Sequence, residues 1–236
     1  MSKVAVVTGG SSGVGRATAL RLVKEGWRVA IVGTREDALA ETVKMSGKPD
    51  QMYACPCDIG DADAVSAMAK RVKEKWGDAE LLVAAAGTNV PNRSLAELSP
   101  DDYRKVIDAN LNGAYFCVQA FLPAMRQNQR GTIVIVNSLA GLRASELSGP
   151  SYVISKFGAA GLVQSINAEE NKHGVRATSV FPGDINTPLL DKRPNPPAKE
   201  LRAAMLQPDD VTDCVMLAVN LPDRVVVEEI IVRPRR

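Results

Sequence analysis

The feature that most constrains the fold is a regular alternation of short apolar runs with longer segments of helical character. Most of these runs are apolar at nearly every position and lack the alternation of a half-exposed sheet. The runs are 4–8, 28–33, 51–56, 81–87, 132–138, 176–183 and 225–232. Strands buried on both faces are typical of a parallel sheet covered by crossover helices. The sequence therefore predicts an α/β fold, a doubly wound parallel sheet of about seven strands with helices on both faces.

The length of the chain indicates a single domain. A chain of 236 residues suits one large α/β domain better than two. The longest predicted helix covers 101–127, with Ser99 as its N-cap and Pro100 at its first position. The stretch 187–206 is rich in proline and charge, and loops of that length inside compact domains are usually functional. We predict one domain over 1–236 with a substrate lid at 187–206.

Charge and composition argue against several classes of function. Lys and Arg number 29 against 27 Asp and Glu, a net charge of +2, so neither nucleic acid nor a membrane is expected as a partner. No apolar run reaches the ~20 residues of a membrane helix, and no signal-peptide core is evident, which predicts a cytoplasmic protein. The four cysteines are expected to be reduced, and a single histidine predicts no metal site. The basic tail "RPRR" is expected to be a solvated end.

The first predicted strand runs directly into a glycine-rich turn, "TGGSSGVG", that opens the first helix. Gly9, Gly13 and Gly15 allow a tight turn and let the backbone approach a pyrophosphate, which the helix start would bind through free N–H groups. The remaining residues of this predicted loop are Ser11, Ser12 and Val14. Such a turn can also be a packing feature of a loop. Its place between the first strand and the first helix favours dinucleotide binding.

The end of the second strand bears on which dinucleotide binds. An acid there would bind the ribose 2′-hydroxyl of NAD, whereas a basic or hydroxyl residue would accommodate the 2′-phosphate of NADP. The strand ends at Gly33 and continues with Thr34 and Arg35, without an acid at that point. We therefore predict NADP as the cofactor, with NAD as the alternative. Asp58, after the third strand, is predicted either to bind the adenine amino group or to cap the next helix.

Tyr152 and Lys156 lie four positions apart in "YVISK", a spacing that places them on one face of a helix. Two interpretations are open. The lysine stem could pack over an aromatic ring at the surface, or the ammonium could tune the phenol for proton transfer. A free phenol has a pKa near 10 and is a poor base at neutral pH, and a neighbouring ammonium would lower that pKa.

The glycine loop, "YVISK" and "FPGDINT" occur in the order in which they are found in the short-chain dehydrogenase/reductase family, which the chain resembles over nearly its whole length. The resemblance implies a Rossmann-type sheet, a nicotinamide cofactor and the interconversion of a ketone and a secondary alcohol. The catalytic residues that it implies are Asn110, Ser138, Tyr152 and Lys156. Beyond the glycine loop, the predicted cofactor contacts are Thr34, Arg35, Asp58, Ile59, Ala86, Gly87, Tyr152, Lys156, Pro182, Gly183, Ile185 and Thr187.

The resemblance also implies roles. Tyr152 would transfer a proton, Ser138 would donate to the substrate oxygen, and Lys156 would bind the nicotinamide ribose. Asn110 would hold a water that links Lys156 to solvent. One departure is "AAAG" at 84–87, where the family often has Asn-Asn-Ala-Gly, so side-chain support of the central strands is expected to be weaker here.

The leading hypothesis is an oxidoreductase that uses NADPH to reduce a ketone, or that catalyses the reverse reaction, on a small carbonyl or alcohol substrate. A catalytically silent dinucleotide-binding regulator or scaffold is the alternative, which the intact set of implied catalytic residues disfavours. An epimerase or dehydratase is a third, but those relatives usually carry a longer C-terminal domain than 236 residues allow. The resemblance further implies a homodimer or homotetramer, paired through the helices at 101–127 and 151–172 and helped by the small residues at 158–161.

Overall fold

A computed structural model describes residues 3–235 and contains a seven-stranded sheet. The strands are β1 (Val4–Thr8), β2 (Arg28–Gly33), β3 (Met52–Pro56), β4 (Leu81–Ala84), β5 (Gly131–Val136), β6 (Val175–Pro182) and β7 (Glu229–Val232). Their order across the sheet is β3-β2-β1-β4-β5-β6-β7, and all neighbours are parallel. The predicted Rossmann-type fold is confirmed. The chain changes direction across the sheet between β1 and β4, where such sheets form a binding crevice at the carboxyl ends of their strands.

Helices cover both faces of the sheet. They are α1 (Gly13–Lys24), α2 (Glu36–Met45), α3 (Ala62–Trp76), α4 (Pro100–Ile107), α5 (Gly113–Gln127), α6 (Pro150–Glu170), α7 (Lys199–Ala203) and α8 (Pro208–Asn220). One core joins the sheet to α3, α5 and α6, and the other joins it to α1, α2 and α8. In β1, Val4 and Val6 belong to the first core, whereas Ala5 and Val7 belong to the second. Both faces of the strand are buried, which explains its apolar run.

The long helix predicted over 101–127 is close in extent but is not one regular α-helix. A π-helical turn at Asp108–Asn112 joins α4 to α5. Ser99 caps α4 as predicted, because its hydroxyl accepts a hydrogen bond from the N–H of Asp102 at 3.1 Å. Single π-turns inside helices are frequent at functional sites, and this one carries the buried Asn110.

The last strand is shorter than predicted, since β7 begins at Glu229 and not at residue 225. The preceding residues form a turn, in which the N–H of Val225 donates to the carbonyl oxygen of Pro222 at 2.9 Å. The guanidinium of Arg176 donates to the carbonyl oxygens of both residues at 2.7 Å. The backbone of this turn is therefore bonded to itself and to a side chain, and it does not extend the ladder with β6.

The segment 187–206 leaves the sheet after β6 and returns to nearly the same point. A parallel backbone bridge pairs Ile185 with Leu206, so the two ends of the excursion lie together. Within the segment are a 3₁₀ turn at Pro188–Lys192 and the helix α7. The prediction of one domain over 1–236 with a substrate lid in this segment stays a prediction.

Three further observations concern residues 3–235 only. None of the helices in this part of the chain is both long and apolar enough to cross a membrane. The four cysteines are unbridged, and three of them are buried. Over the same residues, no three His, Cys, Asp or Glu side chains cluster as metal ligands would.

Candidate active site

The glycine-rich turn between β1 and α1 packs backbone against backbone. A Cβ atom on Gly9 would lie 2.9 Å from the backbone of Ala85, in the segment after β4. A Cβ atom on Gly15 would lie 2.4 Å from the carbonyl oxygen of Gly9. Both positions therefore require glycine if the turn is to close this tightly. A turn of this kind, followed at once by a helix, offers backbone N–H groups to a phosphate.

The start of α1 is suited to receive an anion. Ser12 occupies the N-cap position, but its side chain makes no capping hydrogen bond, and the first turn of α1 contains no acidic residue. The first N–H groups of a helix have no partners within the helix and carry the positive end of its dipole. The glycine cradle and this helix start therefore fit the pyrophosphate of a dinucleotide.

Arg35, at the end of β2, lies over the same loop. Its guanidinium donates hydrogen bonds to the hydroxyl groups of Ser11 and Ser12, at 3.0 and 3.1 Å. Gly33 ends the strand, and Thr34 is exposed beside it. The structure thus brings the predicted cofactor contact Arg35 together with the two serines of the glycine loop. A phosphate bound at this point would meet a guanidinium and two hydroxyl groups.

The end of β3 supplies two of the predicted cofactor contacts. The carboxylate of the exposed Asp58 accepts a hydrogen bond from the N–H of Gly60 at 2.9 Å. The N-cap of α3 is Asp61, whose carboxylate accepts from two N–H groups of the first turn, at 2.9 and 3.1 Å. The alternative interpretation of Asp58 as the helix cap is therefore wrong. The side chain of Ile59 is buried in the core.

Thr8 supports the segment that follows β4. Its hydroxyl oxygen accepts hydrogen bonds from the N–H groups of Ala85 and Ala86, both at 3.1 Å. The side chains of "AAAG" cannot form hydrogen bonds that hold this segment in place. The Thr8 hydroxyl, at the end of β1, forms them instead. Next in the chain is Gly87, where a Cβ atom would lie 3.4 Å from Oδ1 of Asn110 and 3.9 Å from Nζ of Lys156. This backbone segment thus reaches the centre of the candidate site.

Tyr152 and Lys156 lie one turn apart on α6, and the interpretation of Lys156 as a surface packing residue is wrong. Lys156 is only 4% exposed. Its Nζ donates to the carbonyl oxygen of Val136 at 3.0 Å and lies 5.6 Å from the centre of the Tyr152 ring. Burial lowers the pKa of Lys156 to about 8. An ammonium has three N–H donors, so donors remain for a ligand.

The half-buried phenol of Tyr152 is subject to opposing influences. Burial is the largest influence and raises the pKa of Tyr152 above its ordinary value, whereas interaction with the Ser138 hydroxyl and the charges of Arg193 and Arg93 partly offset that rise. The predicted tuning of the phenol by Lys156 stays a prediction. The two arginines bring positive charge that favours the phenolate.

A buried amide fixes Ser138 against α6. The Nδ2 atom of Asn137 donates to the carbonyl oxygen of Lys156 and to the hydroxyl of Ser179, both at 3.1 Å. Its Oδ1 atom accepts from the N–H of Ser138 at 2.9 Å. The ends of β5 and β6 and the helix that carries Tyr152 are therefore tied together. The sequence analysis missed Asn137, for which the only signal was its place directly before Ser138.

Asn110, in the π-turn, uses its amide to join two parts of the site. Its Oδ1 accepts from the N–H of Thr88 at 2.7 Å, and its Nδ2 donates to the Thr88 carbonyl at 3.0 Å and to the Ser155 hydroxyl at 3.1 Å. Ser155 lies on α6, directly before Lys156. Asn110 thus fastens the segment after β4 to this helix, which is a positioning role. The predicted water link to Lys156 stays a prediction.

The segment after β6 lies opposite the glycine loop. A Cβ atom on Gly13 would be 3.1 Å from Cγ2 of Thr187. The predicted residues of this segment that also line the cavity at this edge of the sheet are Pro182, Gly183, Ile185 and Thr187. The two sides of the predicted cofactor cleft therefore face each other across this edge.

The cavity has a volume of about 1090 Å³, and both Ser138 and Tyr152 line it. Its other walls come from segments near 89–93, 139–148 and 182–193, the last of which includes the beginning of the predicted substrate lid. Arg233 and Pro234 of the basic tail also line it, although the tail was expected to be solvated. Arg93 lies in the wall and is 6% exposed. The volume is close to the ~300–1,000 Å³ usual for small-molecule sites.

Comparison with known proteins identifies the family. The family model described as short chain dehydrogenase matches residues 3–197. The chain belongs to the short-chain dehydrogenase family. As a short-chain dehydrogenase it is an oxidoreductase that acts on CH–OH and C=O groups.

Three individual proteins illustrate the similarity. A 3beta-hydroxysteroid dehydrogenase from Mediterraneibacter gnavus is 36% identical over 194 residues, which are 80% of this chain and 68% of that protein. A 2-dehydro-3-deoxy-L-rhamnonate dehydrogenase (NAD(+)) from Sphingomonas sp. is 33% identical over 201 residues, 85% of this chain and 79% of that protein. The structure of an alcohol dehydrogenase from the archaeon Thermococcus sibiricus, complexed with 5-hydroxy-NADP, has a TM-score of 0.87 and 29% identity, over 99% of this chain and 97% of that one.

The structure of this short-chain dehydrogenase brings the four residues predicted as catalytic to one edge of the sheet, and their catalytic roles stay predictions. Ser138 and Tyr152 meet at the cavity, Lys156 lies beneath them, and Asn110 connects the surrounding segments. The residues that the sequence analysis missed are Thr8, Asn137 and the arginine in the cavity wall, Arg93. Thr8 opens the glycine-rich turn and Asn137 directly precedes Ser138, but neither position reveals the hydrogen bonds that the residue makes in the fold. Arg93 lies outside the quoted motifs, so no local pattern marked it.

Proposed function

We propose that this protein reduces a ketone to a secondary alcohol with NADPH, or catalyses the reverse reaction, with Tyr152 as the acid/base. The observation that carries the proposal is the placement of the Tyr152 phenol in the cavity wall, against the Ser138 hydroxyl and one helical turn from the buried Lys156. A purely structural helix has no need of an ammonium in a buried position, since burying a charge without a carboxylate partner is unfavourable.

The side chains divide the chemistry between them. A reduced nicotinamide, when bound, supplies the hydride that the carbonyl carbon receives. Tyr152 gives its proton to the carbonyl oxygen, and Ser138 donates a hydrogen bond to the same oxygen as negative charge develops there. In the direction of oxidation, the phenolate takes the proton from the alcohol. The charges of Arg193 and Arg93, which lower the pKa of Tyr152, stabilise that phenolate.

Lys156 serves both the phenol and the cofactor in this proposal. With a pKa of about 8 it is mostly charged at neutral pH, so it stabilises the phenolate one turn away. One N–H donor is bound to the Val136 carbonyl. The remaining donors would bind the hydroxyl groups of the nicotinamide ribose.

The cofactor preference that we propose is for NADPH. The glycine loop and the start of α1 would hold the pyrophosphate, and Thr187 with the backbone of Ile185 would hold the nicotinamide amide. Arg35, with the hydroxyl groups of Ser11 and Ser12, would bind a 2′-phosphate, and no carboxylate at Gly33 opposes it. The relatives differ in the cofactor that their names give. The Sphingomonas sp. enzyme is named for NAD(+), whereas the Thermococcus sibiricus structure holds 5-hydroxy-NADP.

Two further proposals concern assembly and access. The segment 187–206 would act as a lid, because the ammonium of Lys192 donates to the Thr88 hydroxyl at 2.6 Å across the cleft.

The protein would pair through α5 and α6, since Tyr115, Ile154 and Phe157 are 43–47% exposed there. At Gly161 a Cβ atom would meet nothing within 4 Å, which leaves room for a second chain, whereas Gly158 packs against Leu111 of its own chain.

An activity screen tests the proposed function. Purified protein is incubated with NADPH or NADH and a panel of carbonyl compounds, and the loss of the 340 nm absorbance of the reduced cofactors is followed. We expect oxidation of NADPH with at least one class of ketone. Dinucleotide binding without turnover on any compound would instead support a regulator or scaffold.

Sedimentation of the protein at micromolar concentration tests the proposed pairing through α5 and α6. A sedimentation coefficient of a monomer would refute the pairing.

A further inference from the structure

The cavity that holds Ser138 and Tyr152 is strongly basic. Four arginines line it, and they come from four different segments of the chain: Arg93, Arg143, Arg193 and Arg233. Among residues 3–235, the only side-chain carboxylate in the same lining is that of Asp184. The protein as a whole is nearly neutral, with a net charge of +2. The excess of positive charge is therefore a local property of the cavity, and it favours an anionic ligand.

Arg93 is the most buried of the four and has unused hydrogen-bond donors. Its guanidinium donates to the carbonyl oxygen of Leu147 at 3.3 Å and to that of Lys192. Its Nε atom is buried and has no hydrogen-bond partner among residues 3–235. A guanidinium carries five N–H groups, so only part of its donor capacity is used. A buried cation with free donors and without a carboxylate partner is unfavourable unless a ligand compensates it.

Arg193 brings a second positive charge to the same end of the cavity. It pairs with Asp184, whose side chain is 49% exposed. Burial lowers the pKa of Arg93, and the charge of Arg193 lowers it further. The two residues are neighbours in the fold, since the Arg93 guanidinium donates to the carbonyl oxygen of Lys192, directly before Arg193. Both charges also act on the Tyr152 phenol. The basic end of the cavity thus adjoins the position at which a substrate carbonyl would react.

Arg143 and Arg233 occupy the exposed part of the lining. Within residues 3–235, neither guanidinium pairs with a carboxylate. They extend the positive potential towards solvent, where it would raise the rate at which an anion enters. Arg93 and Arg193 are the less exposed pair, and the Arg93 guanidinium donates to the carbonyl oxygen of Lys192, directly before Arg193. They are therefore the residues that would fix an anionic group inside the cavity that Ser138 and Tyr152 line.

We infer that the substrate is an oxo acid, or the matching hydroxy acid, whose carboxylate is held by Arg93 and Arg193 while its carbonyl faces Ser138 and Tyr152. This inference rests on the proposed reductase function and specifies its substrate class. A carboxylate has two oxygens that match two parallel N–H groups of a guanidinium. In the reaction the carbonyl carbon gains a hydride from NADPH, the oxygen gains a proton from Tyr152, NADPH becomes NADP⁺, and the carboxylate is unchanged.

Paired substrates test the inference. A series of 2-oxo and 3-oxo acids is compared, each with its neutral methyl ester, by kcat/KM with NADPH. Charge-assisted hydrogen bonds to one arginine predict a preference for the acid of about tenfold to a hundredfold. In Arg93→Gln the acid-to-ester ratio is expected to fall by about tenfold or more. A role of Arg93 only in fastening Leu147 and Lys192 would lower both activities and leave the ratio unchanged.

Lys199→Gln is the matched control, because Lys199 is an exposed cation of the 187–206 segment that does not line the cavity. Its acid-to-ester ratio should equal that of the unmodified protein. Turnover of esters as fast as acids, with an unchanged ratio in Arg93→Gln, would overturn the oxo-acid inference and leave the reductase proposal standing.

Calorimetry with the same acids and esters, in the presence of NADP⁺, covers the case in which no compound is reduced. Acid binding that weakens tenfold or more in Arg93→Gln would then support the anion site while the reductase proposal fails. Binding that does not distinguish acid from ester would overturn the anion site as well.

Discussion

The two halves of the catalytic edge are built in different ways. On the dinucleotide side, the predicted pyrophosphate cradle is one contiguous stretch, 8–15, in which backbone packs on backbone and the start of α1 supplies the positive potential. The substrate side is assembled from side chains of segments that are far apart in sequence and meet only in the folded chain. A pyrophosphate can be bound by backbone N–H groups alone, whereas selection among substrates requires side chains of different chemistry.

The halves also differ in how they carry charge. Near the glycine loop, the donors are N–H groups at a helix start, together with Arg35 at the surface. On the substrate side, Lys156 and Arg93 are buried cations, 4% and 6% exposed. Buried charge is unfavourable for the fold and is retained where function needs it. Substitutions on the substrate side should therefore lower activity without lowering the free energy of unfolding. Substitutions in the glycine loop should show this difference less clearly.

The largest expected effect is on the substrate side. Tyr152→Phe should lower kcat by about 10²- to 10⁴-fold, the usual range for a positioned acid/base, because the proton donor is removed. The glycine loop and the start of α1, which would hold the pyrophosphate, are unaltered by this substitution, so the Kd of NADPH should change little. Steady-state kinetics and fluorescence titration of NADPH measure the two quantities. A variant with normal kcat would eliminate the mechanism.

Lys156→Met should make the cofactor-free protein more stable while impairing activity. The pKa of Lys156 is about 8 in the folded state, against an ordinary value of 10.5. The unfolded chain therefore binds more protons between these pH values, and the unmodified protein gains stability as the pH rises through that window. The two pKa values differ by an amount equivalent to about 3 kcal/mol, which is the upper limit of the gain at pH 7.

Denaturant titration of both proteins from pH 7 to pH 10.5 tests this expectation. The advantage of Lys156→Met in the free energy of unfolding should be largest below pH 8 and should disappear as the pH approaches 10.5. An advantage that is independent of pH would show that the packing of the methionine, and not the charge of the lysine, is responsible.

Gly15→Ala should damage the dinucleotide side alone. The new Cβ atom would lie 2.4 Å from the carbonyl oxygen of Gly9, so the loop must move. Overpacking of this kind typically costs about 1–3 kcal/mol, which corresponds to a loss of NADPH affinity of up to about a hundredfold. Gly161→Ala is the matched control, since its Cβ atom would meet nothing within 4 Å of its own chain. Equal NADPH affinity in the two variants would contradict the described cradle.

The smallest expected effect is a change of cofactor preference. Gly33→Asp fits sterically, because its Cβ atom would lie 3.7 Å from the nearest atoms of Leu39 and Ser11. The new carboxylate would bind a ribose 2′-hydroxyl and repel a 2′-phosphate. We expect the ratio of kcat/KM for NADPH to that for NADH to fall by about tenfold to a hundredfold. Should the unmodified protein already favour NADH, the proposed role of Arg35 is wrong.

The sequence was sufficient for the fold and for the contiguous motifs. Apolar runs without alternation reveal strands buried on both faces, so the parallel sheet could be predicted directly. The glycine loop and the Tyr152–Lys156 pair are encoded by spacing along a single element, which a sequence displays. The cap at Ser99 could be predicted for the same reason.

The remaining features depend on contacts between distant residues. The short β7 follows a turn whose carbonyl groups are bound by the Arg176 guanidinium. Arg176 precedes the residues that carry these carbonyl groups by 43 or more positions in the sequence. The hydrogen bonds of Asn137 to α6 and β6 and the convergence of Arg93 with Arg193 are likewise invisible along the chain. Arg93, in "VPNRS", has no local signature in the sequence. Its role depends on the cavity walls that it contacts only after the chain has folded.

The most direct test of the central claim, that this edge of the sheet interconverts a carbonyl and an alcohol with a nicotinamide cofactor, is an isotope experiment. The protein is supplied with NADPH carrying deuterium at the transferred C4 position and with a ketone found in the screen, and the product is analysed by mass spectrometry and NMR. The account predicts one deuterium on the carbinol carbon, formed at least about 10²-fold more slowly by Tyr152→Phe. Alcohol without deuterium at that carbon, or formed equally fast by the variant, would contradict it.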